Sequence, residues 1–339
     1  MKTLKNIPLK DLTTMKLGGN ASFIAEVYNQ SDVVEACNSA SSQKLPIFVL
    51  GGGSNIIARD EGFNGIIIHI HIPGFEVIDD DVNCTTIKIG AGENWDSVVE
   101  RTVGMQLSGI EAMSAIPGTA GATPVQNVGA YGQEIADTLQ SLTAYDTKTN
   151  TFVELTNADC EFTYRYSIFR GASTGRYIIT AITLKLSKKQ PEPPFYNALQ
   201  SYLDKHNITT FDVKTIRDAI IEIRKNKLPD PMTLPNTGSF FKNAVVGKQQ
   251  MYGLRAIDSD IPVFEMNNGS YKIPSGWLIE HAGLKGKLIH GMRVYDKNAL
   301  VLVNESAESY NDLALARDEI IKTVHDTFQV QIQQEPLEI

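Results

Sequence analysis

GIEAMSAIPGTAGATPVQNVGAYG, residues 109–132, holds five glycines and two prolines. That density argues against long regular elements and predicts a backbone-rich loop packed within a domain. Upstream, IFVLGGGSNII, residues 47–57, is a short apolar run that stops at Gly51, Gly52, Gly53, Ser54 and Asn55 and resumes with Ile56 and Ile57. This predicts a strand, a glycine loop and a strand-like continuation. With no Cβ atoms in the way, the N–H groups of such a loop can cradle a phosphate or pyrophosphate, and Ser54 and Asn55 add donors. Three glycines after a strand equally suit a sharp chain reversal, and this loop alone supports both readings. The pattern GxGxxG entering a helix is missing here, and GxxxxGK[ST] occurs nowhere in the chain. A doubly wound dinucleotide fold and a P-loop nucleotidase lose ground accordingly. Two separated glycine loops in one domain instead suit a long ligand lined by backbone at several points, and a dinucleotide such as FAD has that length.

The remainder reads as an ordinary globular protein. Its 339 residues allow roughly two to three domains, and 42% hydrophobic with 21% charged residues excludes disordered, collagen-like and disulfide-scaffold classes. A formal charge of -8 argues against nucleic-acid or membrane-surface partners, so an anionic ligand needs a local basic patch. Cys37, Cys84 and Cys160 are too scattered for a disulfide framework, and none has a His or Cys at metal-ligand spacing. A reducing, cytoplasmic setting without a catalytic metal is expected. His69 and His71 share one face of a predicted strand, read as a solvated face in the absence of a third ligand. No apolar stretch approaches the ~18 residues of a spanning helix, and residues 1–19 lack the apolar core of a signal peptide, so a soluble, unexported chain is expected.

Runs with β character at 65–70, 75–78, 86–89, 141–145 and 177–186 surround a helix predicted over 94–105, with Trp95, Val98, Val99 and Thr102 on one face. SKKQPEPP, residues 187–194, reads as a linker. The main boundary is placed there, giving a domain over 1–190 with two α+β subdomains split near 72 and a second α+β domain over 191–339. In the latter, Ile216, Ala219, Ile220 and Ile223 predict an amphipathic helix running into Arg224, Lys225 and Lys227, cations suited to its C-terminus, before Pro229. A short helix over 276–282 closed by Gly283, a strand over 299–303 and a long helix capped by Ser309 follow, the last with Leu313, Ala316, Ile320, Val324 and Phe328 on its apolar face. Residues 329–339 are expected to be extended.

Five motifs then appear in order: GAGENWDSVVERTV (90–103), GIEAMSAIPGTAGATPVQNVGAYGQE (109–134), CEFTYRYSIFR (160–170), KLPDP (227–231) and GSFFKN (238–243). Together they resemble the UDP-N-acetylenolpyruvoylglucosamine reductase family, flavin enzymes of bacterial cell-wall precursor synthesis, over nearly the whole chain. The resemblance implies an α+β fold with an FAD-binding domain of the vanillyl-alcohol-oxidase (PCMH) type and a C-terminal substrate-binding domain whose last segment returns to the active site. It also implies NADPH as hydride donor and UDP-N-acetylglucosamine enolpyruvate as substrate of a monomeric enzyme. The cofactor would lie on Gly51, Gly52, Gly53, Ser54 and Asn55, and on Ile116, Pro117, Gly118, Gly121, Ala122, Gln126, Asn127, Gly129, Ala130, Tyr131 and Gly132. PPFYNAL and PSGWLIEHAGLKG are similar to the longer, type I branch, in which a tyrosine loop covers the substrate, and Tyr196 matches that tyrosine.

Hydride addition to an enolpyruvyl methylene pushes negative charge toward the neighbouring carbon and its carboxylate, and the site must stabilise that charge and deliver a proton. By the resemblance Arg165, beside the substrate residue Tyr164, is the catalytic arginine; a guanidinium fork suits a carboxylate, while a structural salt bridge is the plainer alternative. Ser239 matches the proton donor, against a turn or N-cap serine. Glu335 matches the C-terminal catalytic glutamate, with Glu338 as competitor for that register. Lys227 and Asn243 match nucleotide or diphosphate contacts and Asn298 a further polar contact, Lys227 being also a plain helix-end cation. Tyr166 and Thr237 depart from the residues frequent at their positions. The discriminating expectation is that Arg165, Ser239 and Glu335 converge at the flavin ring. A flavin-dependent sugar-alcohol oxidase and a non-catalytic nucleotide-binding protein are the competing functions.

Overall fold

The computed structural model describes residues 1–266 and 268–339. The chain divides into two compact units: Met1–Ile7, Ala21–Gly53 and Asn64–Asn226 form the first, and Pro8–Asn20, Ser54–Phe63 and Lys227–Ile339 the second.

The first unit contains two larger sheets. One is ordered Lys2–Pro8, Asn20–Val27, Phe63–Ile70, Ile47–Leu50, with the last two parallel and Ile47 opposite Ile66. Ile66, Ile67, Ile68 and Ile70 are buried in succession, the near-continuous apolar run of a strand covered on both faces. The helix Gln30–Gln43, capped by Asn29, contributes Val33, Ala36, Cys37 and Ala40 to the same core. The other sheet is antiparallel, ordered Thr151–Thr156, Leu139–Asp146, Tyr177–Ser187, Cys84–Gly90, Phe75–Asp80. After it comes the predicted helix, Trp95–Gly104. Asn94 caps it by accepting from the Ser97 N–H at 3.0 Å, and Trp95, Val98, Val99 and Thr102 form its buried face.

The units do not divide at the linker. Helices Asn197–Lys205 and Val213–Lys227 lie beyond residue 190, yet Leu199, Leu203, Ile216, Ala219, Ile220 and Ile223 form one apolar cluster with Ala112, and Tyr131 packs against it. Arg217 is 7% exposed and grips Asp96 with two bonds of 2.6 and 3.1 Å. Shared apolar burial and a charge-assisted fork bind these helices to the first unit, so the break falls at 226/227 instead of 190/191. Short segments at 8–20 and 54–63 also belong to the second unit, an exchange that linker composition does not signal.

In the second unit one antiparallel sheet runs Asn236–Ser239, Val301–Asn304, Met292–Val294, Leu288–Ile289, and another Ala244–Val246, Tyr271–Ile273, Phe264–Glu265. Helix Tyr310–Phe328 starts at a capping box in which Ser309 and Asp312 satisfy each other's backbone N–H groups, and it buries the five predicted apolar residues. The helix Ser275–His281 ends before Gly283, whose φ of +74° closes it. Near the C-terminus, Leu337–Glu338 pairs in parallel with Ile56–Ile57. No helix among the described residues is long and apolar enough to cross a membrane.

Candidate active site

The two glycine loops meet within the first unit. A Cβ on Gly52 would lie 2.9 Å from the Gly118 Cα, and one on Gly51 would lie 2.5 Å from the Thr119 Oγ1. Gly121 packs as closely on Ala91, its Cβ position 2.5 Å from the alanine's. The second loop is fastened along residues 91–95: Trp95 N–H donates to Gly118 O at 3.1 Å, Ala120 N–H to Glu93 O at 2.8 Å and Gly121 N–H to Ala91 O at 2.9 Å. Left-handed backbone is concentrated here, at Gly53, Ala115, Gly118, Asn127, Tyr131 and Gly132. Alternating backbone handedness turns successive N–H groups toward one side, and a bulky residue such as Tyr131 at φ 49° persists only where its surroundings enforce it. Cβ atoms at Gly51, Gly52 and Gly121 would force these loops apart, and a backbone-lined surface of this kind is what a dinucleotide pyrophosphate needs, so these residues fit FAD. Ser54 and Asn55, expected to share the site, open a segment of the second unit.

Two expected cofactor residues also have internal work. Asn127 is fully buried; its Oδ1 accepts from the Ala136 N–H at 3.1 Å and its Nδ2 donates to Thr163 O at 3.2 Å. Gln126 Oε1 accepts from Arg170 Nη1 at 2.6 Å. Through Asn127 the loop anchors the turn that bears Tyr164 and Arg165, closed by reciprocal 3.1 Å hydrogen bonds between Thr163 and Tyr166. Arg165 sits at its tip with φ 54°, donates from Nη2 to Gly129 O at 2.9 Å and lies over the Tyr164 ring. Gly171 makes room for the departure at Tyr166, since a Cβ there would strike the Tyr166 hydroxyl at 2.1 Å.

Tyr131 links the loop to a residue that helix-end reasoning misplaces. Its ring meets Tyr196 edge-on at 6.0 Å, and its hydroxyl lies close enough to the Arg224 guanidinium for the two to interact electrostatically. Burial pushes the Tyr131 hydroxyl up, against the pull of Arg224, and burial likewise lowers Arg224, against Tyr131 and Asp96. Arg224 Nε is buried with no hydrogen-bond partner in the structure, an orphan donor that an anionic group would satisfy. The available signal is spacing: Arg224 follows Ile216 and Ile220 at intervals of four, on the buried face of its helix. Tyr196, 53% exposed, stands at the start of helix Asn197–Lys205. His69 and His71 are half-buried and lie 4.0 Å apart, with Tyr28 stacked on His71, so the expected solvated face is partly closed.

The second unit brings Ser239 and the C-terminal segment together. Ser239 ends the strand Asn236–Ser239, paired with Val301, and the register slips at Gly238, whose φ is +70°. It is therefore a strand residue beside a bulge, neither an N-cap nor a plain turn serine. The next residue, Phe240, accepts the Glu335 N–H at 2.8 Å, and Glu335 is 8% exposed. Glu338 points into a separate ion-pair network with Arg59 and Arg317 at 2.7 and 2.6 Å. Burial works to raise its carboxyl, but Arg59, Tyr310 and Arg317 outweigh this and hold it below the ordinary range. Asn243 Oδ1 accepts from the Ser275 N–H at 3.2 Å and Asn298 Oδ1 from the Leu300 N–H at 3.1 Å, while Lys227 is exposed. The Thr237 hydroxyl is buried without a hydrogen-bond partner in the structure. Among the described residues no group of three or more His, Cys, Asp or Glu could hold a metal ion.

Comparison with known proteins agrees with this architecture. Residues 21–156 match the family described as FAD binding domain, and residues 230–339 the C-terminal domain of UDP-N-acetylenolpyruvoylglucosamine reductase. Proteins named UDP-N-acetylenolpyruvoylglucosamine reductase are 40% identical in Ralstonia nicotianae, over 98% of both chains, and 38% identical in Cupriavidus pinatubonensis, over 97% of both. The crystal structure of the Thermus caldophilus UDP-N-acetylenolpyruvylglucosamine reductase superposes with a TM-score of 0.66 at 22% identity, covering 99% of this chain and 98% of that one, and so shares the fold. With two matched domains in order and full-length relatives at this identity, the chain belongs to the UDP-N-acetylenolpyruvoylglucosamine reductase family.

Proposed function

We propose that this chain reduces the enolpyruvyl ether of UDP-N-acetylglucosamine enolpyruvate to UDP-N-acetylmuramate, a step in peptidoglycan precursor synthesis. FAD, when bound, supplies the hydride chemistry, with NADPH as the donor. The cradle of Gly51 to Gly53 and the loop from Ile116 to Gly132 hold that cofactor by backbone N–H groups. Arg165, fixed by its turn and by Gly129 O, receives the substrate carboxylate, and its charge opposes the negative charge that develops there. Ser239 delivers the proton to the enol carbon, and Glu335 polarises the group being protonated. Lys227 supplies a point charge for the diphosphate, Tyr164 lines and Tyr196 covers the substrate, Asn243 completes the nucleotide contacts and Asn298 adds a further polar contact to the substrate. The enzyme works as a cytoplasmic monomer that takes neither nucleic acid nor membrane, the latter a reading its charge of -8 supports.

The observation that carries the residue assignment is the 2.8 Å hydrogen bond from Glu335 N–H to Phe240 O, which sets the backbone of the buried glutamate opposite the residue that follows Ser239, while Glu338 is engaged elsewhere. The test is Ser239→Ala. The variant is expected to keep its flavin and its bleaching by NADPH, and to lose return of colour on adding the enolpyruvyl sugar by about 10²-fold or more, the range of general acid catalysis. Equal loss in both half-reactions would contradict the role of Ser239.

A further inference from the structure

The C-terminal segment changes partners at Glu335. Before it, Lys242 N–H donates to Gln333 O at 2.8 Å and Phe241 bridges Gln334 in antiparallel fashion. After Pro336 the chain runs beside residues 55–59: Leu337 N–H donates to Asn55 O at 3.0 Å, Ile339 N–H to Ile57 O at 2.9 Å, and Arg59 N–H to Ile339 O at 2.8 Å. A strand of two residues carries few ladder bonds, each worth about 1 kcal/mol, and a one-residue slip would turn every side chain of the segment over.

A set of side chains supplies the missing hold. Glu338 Oε2 accepts from Arg59 Nη2 at 2.7 Å and Nε at 3.3 Å, and its Oε1 from Arg317 Nη1 at 2.6 Å. The same Arg317 Nη1 reaches Gln334 Oε1 at 3.1 Å, and Gln334 Nε2 donates to Pro336 O at 2.9 Å and to Glu338 Oε1 at 3.3 Å. Gln334 and Glu338, on either side of Glu335, are therefore tied to one guanidinium on the long helix. The Arg317 and Glu338 side chains are only 18% and 20% exposed, so solvent screens this pair less than a surface pair, whereas Arg59 is 55% exposed and its share is screened more.

We propose that the Glu338–Arg59–Arg317 clamp is a positioning device for Glu335: it fixes the register that keeps Glu335 paired with Phe240, beside Ser239, and it acts on the protonation step through Glu335. The inference rests on the role given to Glu335 above. The test uses the purified flavoprotein and the variants Glu338→Gln, Glu335→Gln and their double, with flavin reduction by NADPH and reoxidation by the enolpyruvyl sugar followed separately. Glu338→Gln is expected to slow reoxidation about tenfold while leaving flavin reduction and the KM for the sugar unchanged, and the double variant is expected to be no slower than Glu335→Gln alone. Arg59→Lys, a milder change that keeps the charge and loses the fork, is expected to show a smaller loss of the same kind. Losses that multiply in the double variant, or a Glu338→Gln effect shared by both half-reactions, overturn the proposal. A slow Glu335→Gln beside an unaffected Glu338→Gln overturns the clamp alone. An unaffected Glu335→Gln overturns the role of Glu335, and the clamp with it.

Discussion

Replacing Gly52 by alanine tests the cradle where one glycine loop meets the backbone of the other. The new Cβ would stand 2.9 Å from the Gly118 Cα, a backbone atom that cannot rotate away, whereas ordinary contact begins near 3.4 Å. The two loops must part by ~0.5 Å, an overpacking strain of about 1–3 kcal/mol. If the cofactor needs the loops at their native spacing, that strain falls on the bound state, and at 1.4 kcal/mol per tenfold FAD binds roughly 5- to 150-fold more weakly. Gly175→Ala is the control: it is exposed, its φ is +76°, and no heavy atom lies within 4 Å of the added Cβ. It should cost about 1 kcal/mol of stability through backbone strain alone and leave FAD affinity untouched. Fluorescence titration of the apoprotein with FAD, beside thermal melts of both variants, makes the comparison. Unchanged affinity in Gly52→Ala, or an equal loss in Gly175→Ala, would refute the reasoning.

Three further outcomes are expected. Burial pushes the Cys37 thiol up to about 11 and the Cys160 thiol up to about 12, whereas Cys84 is half-exposed; a thiol reagent at neutral pH should modify one cysteine of the folded protein quickly and all three after denaturation. His69 is lowered to about 4, by burial first and by His71 next. The folded state thus binds fewer protons than the unfolded one, so its contribution is complete above pH 6.5 and is lost as pH falls toward 4; relative to wild type, His69→Gln should flatten that limb of the stability curve by on the order of 2 kcal/mol. Removing the cap with Ser309→Ala should destabilise helix Tyr310–Phe328 by about 1 kcal/mol, read as a lower denaturant midpoint with an unchanged m-value.

Local patterns made the regular elements legible where sequence period and capping agree. The apolar faces from Trp95 to Thr102 and from Leu313 to Phe328 were both readable, as was the cap Ser309, while Asn94, expected inside its helix, proves to be the cap. The helix Gln30–Gln43 escapes the same reading because small and polar residues dilute its stripe, whereas Asn197–Lys205 and Lys248–Ile257 do carry an apolar face and were legible in principle. The unit boundary was illegible for another reason. A proline-rich linker marks where regular structure stops, but what binds helix Val213–Lys227 to the first unit is the Arg217–Asp96 fork and contact with Ala112, pairings across long sequence distances. In the site, the glycine loops announce themselves by composition, while the burial of Arg224 and the capture of Glu338 depend on partners that only the folded chain supplies.

The central claim is a two-step hydride transfer that ends on an enolpyruvyl sugar, and anaerobic absorption spectroscopy of the purified protein tests it most directly. The account predicts yellow flavin bands that bleach on adding NADPH and return on adding UDP-N-acetylglucosamine enolpyruvate. A colourless protein that cannot be reconstituted with FAD, or bleached flavin whose colour returns only with oxygen, would contradict it.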